Sequence, residues 1–274
     1  MSSDEFFAMA ASVVIAVIAW GSWLKSIVLV DVLRPMMLSR IALVLVPVLA
    51  TVGLFGVLRC WAAGDVRDDP LYLAMYLVMG LAWMGAGRWC FIPLGVYWRG
   101  DILERGNRAA LPAVAGALLG LMACYAGANI GDGPGWWCVI VAGGLALGAW
   151  LLAWYVLDRV TGIGDAISID RQPGAGIRLG SYLIASGVIC GRGAAGDWHS
   201  LAATVNEFAA VWPLLPLLIL ALLVEHGTRA VSDATSRGMS GMGVVTPVAA
   251  VAYLLWMLLA LHLVHWPVMG GVVR

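Results

Sequence analysis

The chain has 274 residues, of which 62% are hydrophobic and 12% are charged, and its mean hydropathy is +0.93. Soluble domains carry charge on about a quarter of their residues, so this composition predicts an integral membrane protein. Sixteen basic and sixteen acidic residues give a formal net charge of zero. This balance excludes the basic surface with which a protein binds nucleic acid.

Eight apolar runs follow one another along the chain, each near the length of about 20 residues that a helix needs to cross a bilayer. They predict an all-α fold, a polytopic membrane bundle of about eight transmembrane helices. The sixth run is the weakest, because Arg178 and Arg192 flank a short apolar stretch, and a seven-helix bundle stays open as an alternative. The predicted spans are residues 6–24, 41–58, 71–95, 109–130, 137–157, 177–195, 208–224 and 244–266.

Basic residues in the predicted loops favour an orientation with both termini outside, because loops on the cytoplasmic side are enriched in arginine and lysine. The acids Asp4 and Glu5 open the chain, unlike a cleavable signal peptide, so the first span is expected to stay. Abundant arginine, alanine and glycine are typical of a bacterial source, which predicts the bacterial cytoplasmic (inner) membrane. The inner loops would carry Lys25, Arg34, Arg40, Arg99, Arg105, Arg108, Arg159, Arg171, Arg178, Arg229 and Arg237, and the outer side Arg59, Arg67, Arg192 and Arg274.

A segment of the chain occurs twice. The run from Cys124 to Asp132 returns, one residue shorter, as the run from Cys190 to Asp197. With an offset of 66 residues, Arg105 falls on Arg171. This predicts two parallel helical hairpins, residues 105–157 and 171–224, whose corners Gly131-Asp132 and Gly196-Asp197 lie at one membrane face. The aspartates are expected to accept turn N–H groups, with a cation or proton site as the alternative.

The entry to the first hairpin reads Glu104-Arg105-Gly106-Asn107-Arg108-Ala109-Ala110, followed by Gly116-Ala117-Leu118-Leu119-Gly120. Over residues 99–226 the chain resembles the bacterial inner-membrane family called domain of unknown function 350, a four-helix protein of two such hairpins. The second copy departs from this pattern, with Arg171-Gln172-Pro173 where Gly-Asn is expected. The resemblance implies an inner-membrane location and hairpin duplication, and it transfers no catalytic residue.

The repeat divides the chain into three predicted regions. Residues 1–98 would form an N-terminal region of three membrane helices, residues 99–226 the duplicated hairpins, and residues 227–274 a C-terminal transmembrane helix. Two glycine pairs, Gly116 with Gly120 and Gly144 with Gly148, have the spacing that lets membrane helices approach closely.

Arg88 is the deepest charge in the predicted spans, and an ionisable side chain in a membrane helix is a functional-site hypothesis by default. It is expected to reach the headgroup region with its long side chain or to pair with a carboxylate of the bundle. The alternative is a position in an anion path.

Other candidate chemistry is sparse. Cys124 and Cys190 hold equivalent repeat positions and are expected to pack as small apolar side chains, although a disulfide between them stays open. His262 and His265, with His199 on an outer loop, lack the further ligands that zinc requires, so no metal site is expected. The sequence contains no nucleophile elbow, phosphate-binding loop or dinucleotide fingerprint, so we expect no catalytic residue and no enzyme; it identifies no cofactor.

Polar side chains are scarce in the middle of the spans, whereas a channel or transporter needs them there. We therefore expect a non-enzymatic accessory or scaffold subunit of a larger bacterial membrane complex. Its partners would be the lipid bilayer, other membrane subunits or further copies of the chain, and no nucleic acid. The alternative is a channel or transporter for a small ion or solute.

Overall fold

The computed structural model describes residues 1–30, 37–234 and 243–264, and its regular elements are helical, with no strand in these ranges. Three short segments depart from α geometry: 3-10 turns at Arg88–Leu94 and Phe208–Val211, and a π-helical turn at Trp98–Glu104. The helices are α1 (Ser3–Leu29), α2 (Met37–Trp61), α3 (Gly64–Asp68), α4 (Pro70–Gly87), α5 (Ala110–Gly127), α6 (Trp136–Thr161), α7 (Ile163–Ser168), α8 (Pro173–Ala194), α9 (Leu201–Glu207), α10 (Leu214–Ala234) and α11 (Val245–Leu263).

The described residues contain eight helical stretches that are long and apolar enough to cross a membrane, two of which, Pro70–Leu94 and Leu201–Arg229, include a 3-10 turn. This confirms the predicted all-α polytopic bundle. The doubtful sixth span is the continuous helix α8, of 22 residues. Arg178 and Arg192 lie inside α8 and are buried, so their assignment to loops was wrong. A helix enclosed by other helices can carry such charges because its polar groups meet protein and not lipid.

Local sequence explains where several helices begin and end. At the start of α1, Ser2 and Glu5 form a capping box, in which the Ser2 amide donates to Glu5 Oε2 at 2.7 Å. Asp69 caps α4 by accepting from the Leu71 amide at 2.7 Å. Gly162 ends α6 in the left-handed conformation that glycine adopts without steric cost.

Helices α5 and α8 form the centre of the bundle. In the apolar stretches of these two helices 72% and 78% of residues are buried, against 22–39% in the other six spans. The helices run parallel with their backbones in contact: a Cβ added at Gly116 would collide with Gly180, and one at Gly187 with Gly120. This close approach agrees with the predicted role of Gly116 and Gly120.

The second predicted glycine pair does not take part in this packing. A Cβ at Gly144 or Gly148 of α6 would meet nothing within 4 Å, because both face away from the bundle. The remaining long helices surround the central pair: α2 and α4 pack on α5, α1 packs on α4, α10 and α11 pack on α8, and α6 contacts both central helices. The outer faces of α1, α2 and α11 expose valine, isoleucine and leucine, as lipid-facing helices do.

Candidate functional site

The two repeat corners lie side by side at one end of the central helix pair. Gly131 and Gly196 adopt positive φ angles of 113° and 152°, which other residues rarely adopt. The Gly196 amide donates to the Ile130 carbonyl at 2.9 Å, and the Asp132 amide donates to Asp197 Oδ1 at 2.8 Å. The Asp197 carboxylate thus accepts a backbone N–H of the other corner.

A third Gly-Asp pair joins this end, and the sequence interpretation did not count it. Gly64-Asp65 precedes Gly131-Asp132 by 67 residues, and Gly131-Asp132 precedes Gly196-Asp197 by 65. Ala62 forms a parallel backbone bridge with Gly131. The regular spacing was the available signal, but the helix before Gly64 shares little other sequence with the two repeats.

The three aspartates of these pairs line one cavity of about 100 Å³, together with the acidic side chains of Glu5 and Glu207. Among the described residues that line it none is basic, and the volume has room for several waters. In the parts of the chain that the structure covers, no group of three or more His, Cys, Asp or Glu residues is placed to hold a metal ion. The described residues therefore give the cavity an acidic lining that contains no metal-ligand set.

The turns that precede α5 and α8, at the other end of the central helix pair, show which residues of the two repeat copies correspond. Gly106 and Arg171 both adopt left-handed φ angles, 65° and 54°. The amides of the next residues, Asn107 and Gln172, each donate to the carbonyl six residues earlier, at 2.7 Å and 2.9 Å. Arg171-Gln172 therefore takes the place of Gly106-Asn107, so the offset at this turn is 65 and the predicted pairing of Arg105 with Arg171 was wrong.

Arg88 lies where α4 gives way to a 3-10 turn, and only 2% of it is exposed. Its Nε donates to the Gly85 carbonyl at 2.9 Å, and its Nη2 donates to the Ala19 carbonyl and to Ser22 Oγ, both at 2.8 Å. The guanidinium thus joins α4 to α1. This geometry differs from the expected extension to the headgroup region.

Three tryptophan rings surround the Arg88 guanidinium: Trp23 and Trp89 with centroids 5.1 Å from Cζ, and Trp98 at 5.6 Å. Trp23 and Trp98 stack on each other with centroids 3.9 Å apart, and both are buried in the interior. In the described ranges the guanidinium meets no carboxylate, and its Nη1 has no hydrogen-bond partner. The expected pairing with a bundle carboxylate is not found there.

A second buried arginine has the opposite environment. Arg178 of α8 forms a two-point ion pair with Glu225 of α10, with Nε–Oε1 at 2.5 Å and Nη2–Oε2 at 2.8 Å. Its Nη1 donates to Thr246 Oγ1 of α11 at 3.0 Å. The three residues are buried, so one guanidinium joins three helices.

The repeat cysteines face each other in the central helix pair. Cys124 and Cys190 are both buried free thiols, and Cys124 Sγ lies 3.7 Å from the Gly187 carbonyl oxygen. No disulfide joins them in this structure. Of the histidines considered for a metal, His265 lies outside the described residues.

Comparison with known proteins places a family match on the middle of the chain. Residues 65–194 match the family described as Domain of Unknown Function (DUF350), which confirms the resemblance seen in the sequence. The match covers the third to sixth spans instead of residues 99–226, beginning at Asp65 and ending just before Gly196-Asp197. No curated protein and no solved structure matched the chain.

These findings define the class of protein. The chain is a multi-pass helical membrane protein, and its central segment resembles an uncharacterised family. The matched segment begins at Asp65 and ends two residues before Gly196, and each half of it contains an outer helix followed by a central helix: α4 with α5, and α6 with α8.

Proposed function

We propose that the protein is a non-enzymatic accessory or scaffold subunit of a larger assembly in a bacterial inner membrane. The observation that carries this proposal is the closed centre of the bundle. Along α5 and α8 the backbones touch at successive glycines, from Gly176 against Ala109 to Gly191 against Ala123. A path for ions or solutes along this axis would require the two central helices to separate over their whole length.

The buried charges support the same proposal. Arg178 is bound by Glu225 and Thr246, and it ties the last two spans to the central pair. Side chains that line a transport path are available to solvent or substrate, whereas these are enclosed by protein. The charges therefore serve the assembly of the helices.

The test is extraction of the tagged full chain from its native membrane with a mild detergent, followed by quantitative mass spectrometry. A scaffold subunit retains other membrane proteins in fixed stoichiometry. The variant Gly144→Leu/Gly148→Leu sharpens the test, because its new side chains enter open space on α6 and leave the fold intact. Partners that pack against α6 are lost from this variant, and those bound elsewhere are kept.

Transport of a small ion or solute is the second candidate, and Arg88 favours it, because this buried cation has an Nη1 without a partner in the described ranges. Measurement of anion flux through purified protein in liposomes distinguishes the scaffold proposal from the transport proposal. Anion flux that disappears in Arg88→Leu protein of unchanged oligomeric size would replace the scaffold proposal with the transport proposal. Absence of flux together with stoichiometric partners supports the scaffold.

We further propose that both termini face the outside, on the basis of the loop charges. Glu5 lines the cavity at the repeat corners, so the corners share the side of the N-terminus. A single cysteine at Ser2, in a chain whose native cysteines are replaced, should react with a membrane-impermeant thiol reagent added from outside. A cysteine at Arg105 should be spared, and the reverse labelling pattern would invert the orientation.

A further inference from the structure

We propose that Arg88 and Lys25 form a binding site for the phosphate group of a phospholipid, on the face where α1 meets α4. This inference goes beyond the proposed function and does not depend on it. An arginine side chain has five N–H donors. Three of them are used by Gly85, Ala19 and Ser22, and the Nη1 pair has no partner in the residues that the structure covers.

The partner expected for these donors is an anion, because the described residues place no carboxylate beside Arg88 and burial of a guanidinium without an opposite charge is strongly unfavourable. Backbone carbonyls and aromatic rings reduce this cost but carry no net negative charge. A phosphate oxyanion suits the two Nη1 donors, since two N–H groups on one nitrogen can reach its oxygens and charge-assisted bonds of this kind are strong.

The depth of Arg88 points to a lipid headgroup as the source of the phosphate. Arg88 follows Pro70, the first residue of α4, by 18 positions, which is about 27 Å of helix at 1.5 Å per residue. The hydrocarbon core is about 30 Å thick. Arg88 therefore lies near the boundary of the hydrocarbon region, at the end of the bundle opposite the repeat corners.

The surface above the guanidinium gives a lipid access. Ser22, which binds Nη2, is exposed, and Trp89, whose ring covers the guanidinium, is 57% exposed. Trp23 and Trp98 are buried, so Trp89 is the ring of the three that a lipid can displace to reach the guanidinium. Lys25 is exposed one turn beyond Ser22 on the same helix face, where its ammonium supplies a second positive charge.

The experiment measures the unfolding temperature of the purified full chain in detergent with four additives: phosphatidylglycerol, diacylglycerol with the same acyl chains, sodium phosphate, and sodium chloride. A ligand that binds only the folded state raises the unfolding temperature. We expect phosphatidylglycerol to raise it and diacylglycerol, which lacks phosphate, to leave it unchanged. An equal rise with diacylglycerol would assign the effect to the acyl chains and overturn the proposal.

Variants assign the effect to the site. Arg88→Gln should lose the rise, and Lys25→Gln, on an exposed position that does not affect folding, should reduce it. Arg99→Gln is the matched control, because Arg99 is an exposed arginine at the same end of the bundle, paired with Glu104 at 2.9 Å. This control should keep the rise. A rise that Lys25→Gln and Arg88→Gln both leave unchanged would refute the site.

The remaining outcomes separate other sources of negative charge. An Arg88-dependent rise with sodium phosphate alone supports the same site with free phosphate as its ligand. Asp31 lies outside the described residues, and Asp31→Asn tests it as an internal partner: a rise that appears only in this variant would overturn the proposal. The proposal would also be overturned if the unfolding temperature did not respond to lipid and a co-purifying protein were lost in Arg88→Gln. That protein would then supply the carboxylate that neutralises Arg88.

Discussion

Arg178 at the α8–α10–α11 junction and Arg88 at the α1–α4 junction are both buried, and the two side chains are satisfied in different ways. Arg178 is 4% exposed and meets the carboxylate of Glu225 with two hydrogen bonds. Arg88 is 2% exposed and meets carbonyls, a hydroxyl and three tryptophan rings. The first junction contains both members of an ion pair, whereas the described part of the second contains only the cation.

The comparison shows which of the two junctions contains its own counter-charge within the described residues. Arg178 needs nothing from outside, because Glu225 neutralises its charge and three of its five N–H donors bind Glu225 and Thr246. In the described residues the charge of Arg88 meets no carboxylate, so its junction is where we propose that a lipid phosphate binds. Burial alone does not distinguish the two arginines.

The largest expected effect comes from removing one member of the ion pair. Glu225→Gln leaves Arg178 buried without an opposite charge, and breaking such a pair costs about 3–5 kcal/mol. We expect a loss of this size in the free energy of unfolding, measured in mixed micelles. The double variant Arg178→Met/Glu225→Leu should recover most of the loss, since it removes both charges together. A double variant as unstable as Glu225→Gln would show that the pair does more than neutralise charge.

The central helix pair, on which both junctions rest, gives the next effect. Gly116→Ala adds a methyl group against the Gly180 backbone, and overpacking of this kind costs about 1–3 kcal/mol. Gly144→Ala is the matched control, because its methyl group enters open space and alanine favours helix. The stability of the two variants is compared in the same detergent. Equal stability would mean that α5 and α8 separate without cost.

The sequence predicted the spans and the repeat because both depend on local pattern. Apolar length determines whether a helix crosses the membrane, and the Gly-Asp corners repeat within the chain. The assignment of Arg178 and Arg192 to loops failed because hydropathy does not distinguish a charge inside a helix enclosed by protein from a charge beyond the end of a helix. The ion pair of Arg178 with Glu225 joins residues 47 positions apart, and no local sequence pattern predicts it.

The surroundings of Arg88 could not be predicted from the sequence either. Its partners come from α1, 66 and 69 residues earlier, and Trp98 reaches it only because a 3-10 turn and a π-helical turn follow α4. Sequence periodicity does not predict such turns. At the repeat entry the one-residue shift arose because Arg171 takes the left-handed conformation that the first copy gives to Gly106.

The smallest effect on folding is expected from Arg88→Leu. The substitution removes three hydrogen bonds, each worth about 1 kcal/mol net, but it also removes a buried charge whose desolvation costs several kcal/mol. The carbonyls of Gly85 and Ala19 lie in helices, and Ser22 Oγ keeps its bond to Ala19, so few polar groups lose their last partner. We expect a change within about 1 kcal/mol in the free energy of unfolding in lipid-free detergent.

Arg88→Lys provides the comparison that gives this small effect its meaning. Lysine keeps the charge but loses the planar fork that reaches both Ala19 and Gly85, so the variant should be less stable than Arg88→Leu in lipid-free detergent. The order follows because the uncompensated charge, and not the lost hydrogen bonds, dominates the energy of this junction. If Arg88→Leu instead destabilises the protein as much as Glu225→Gln, Arg88 has an anionic partner within the chain, and the two junctions are alike.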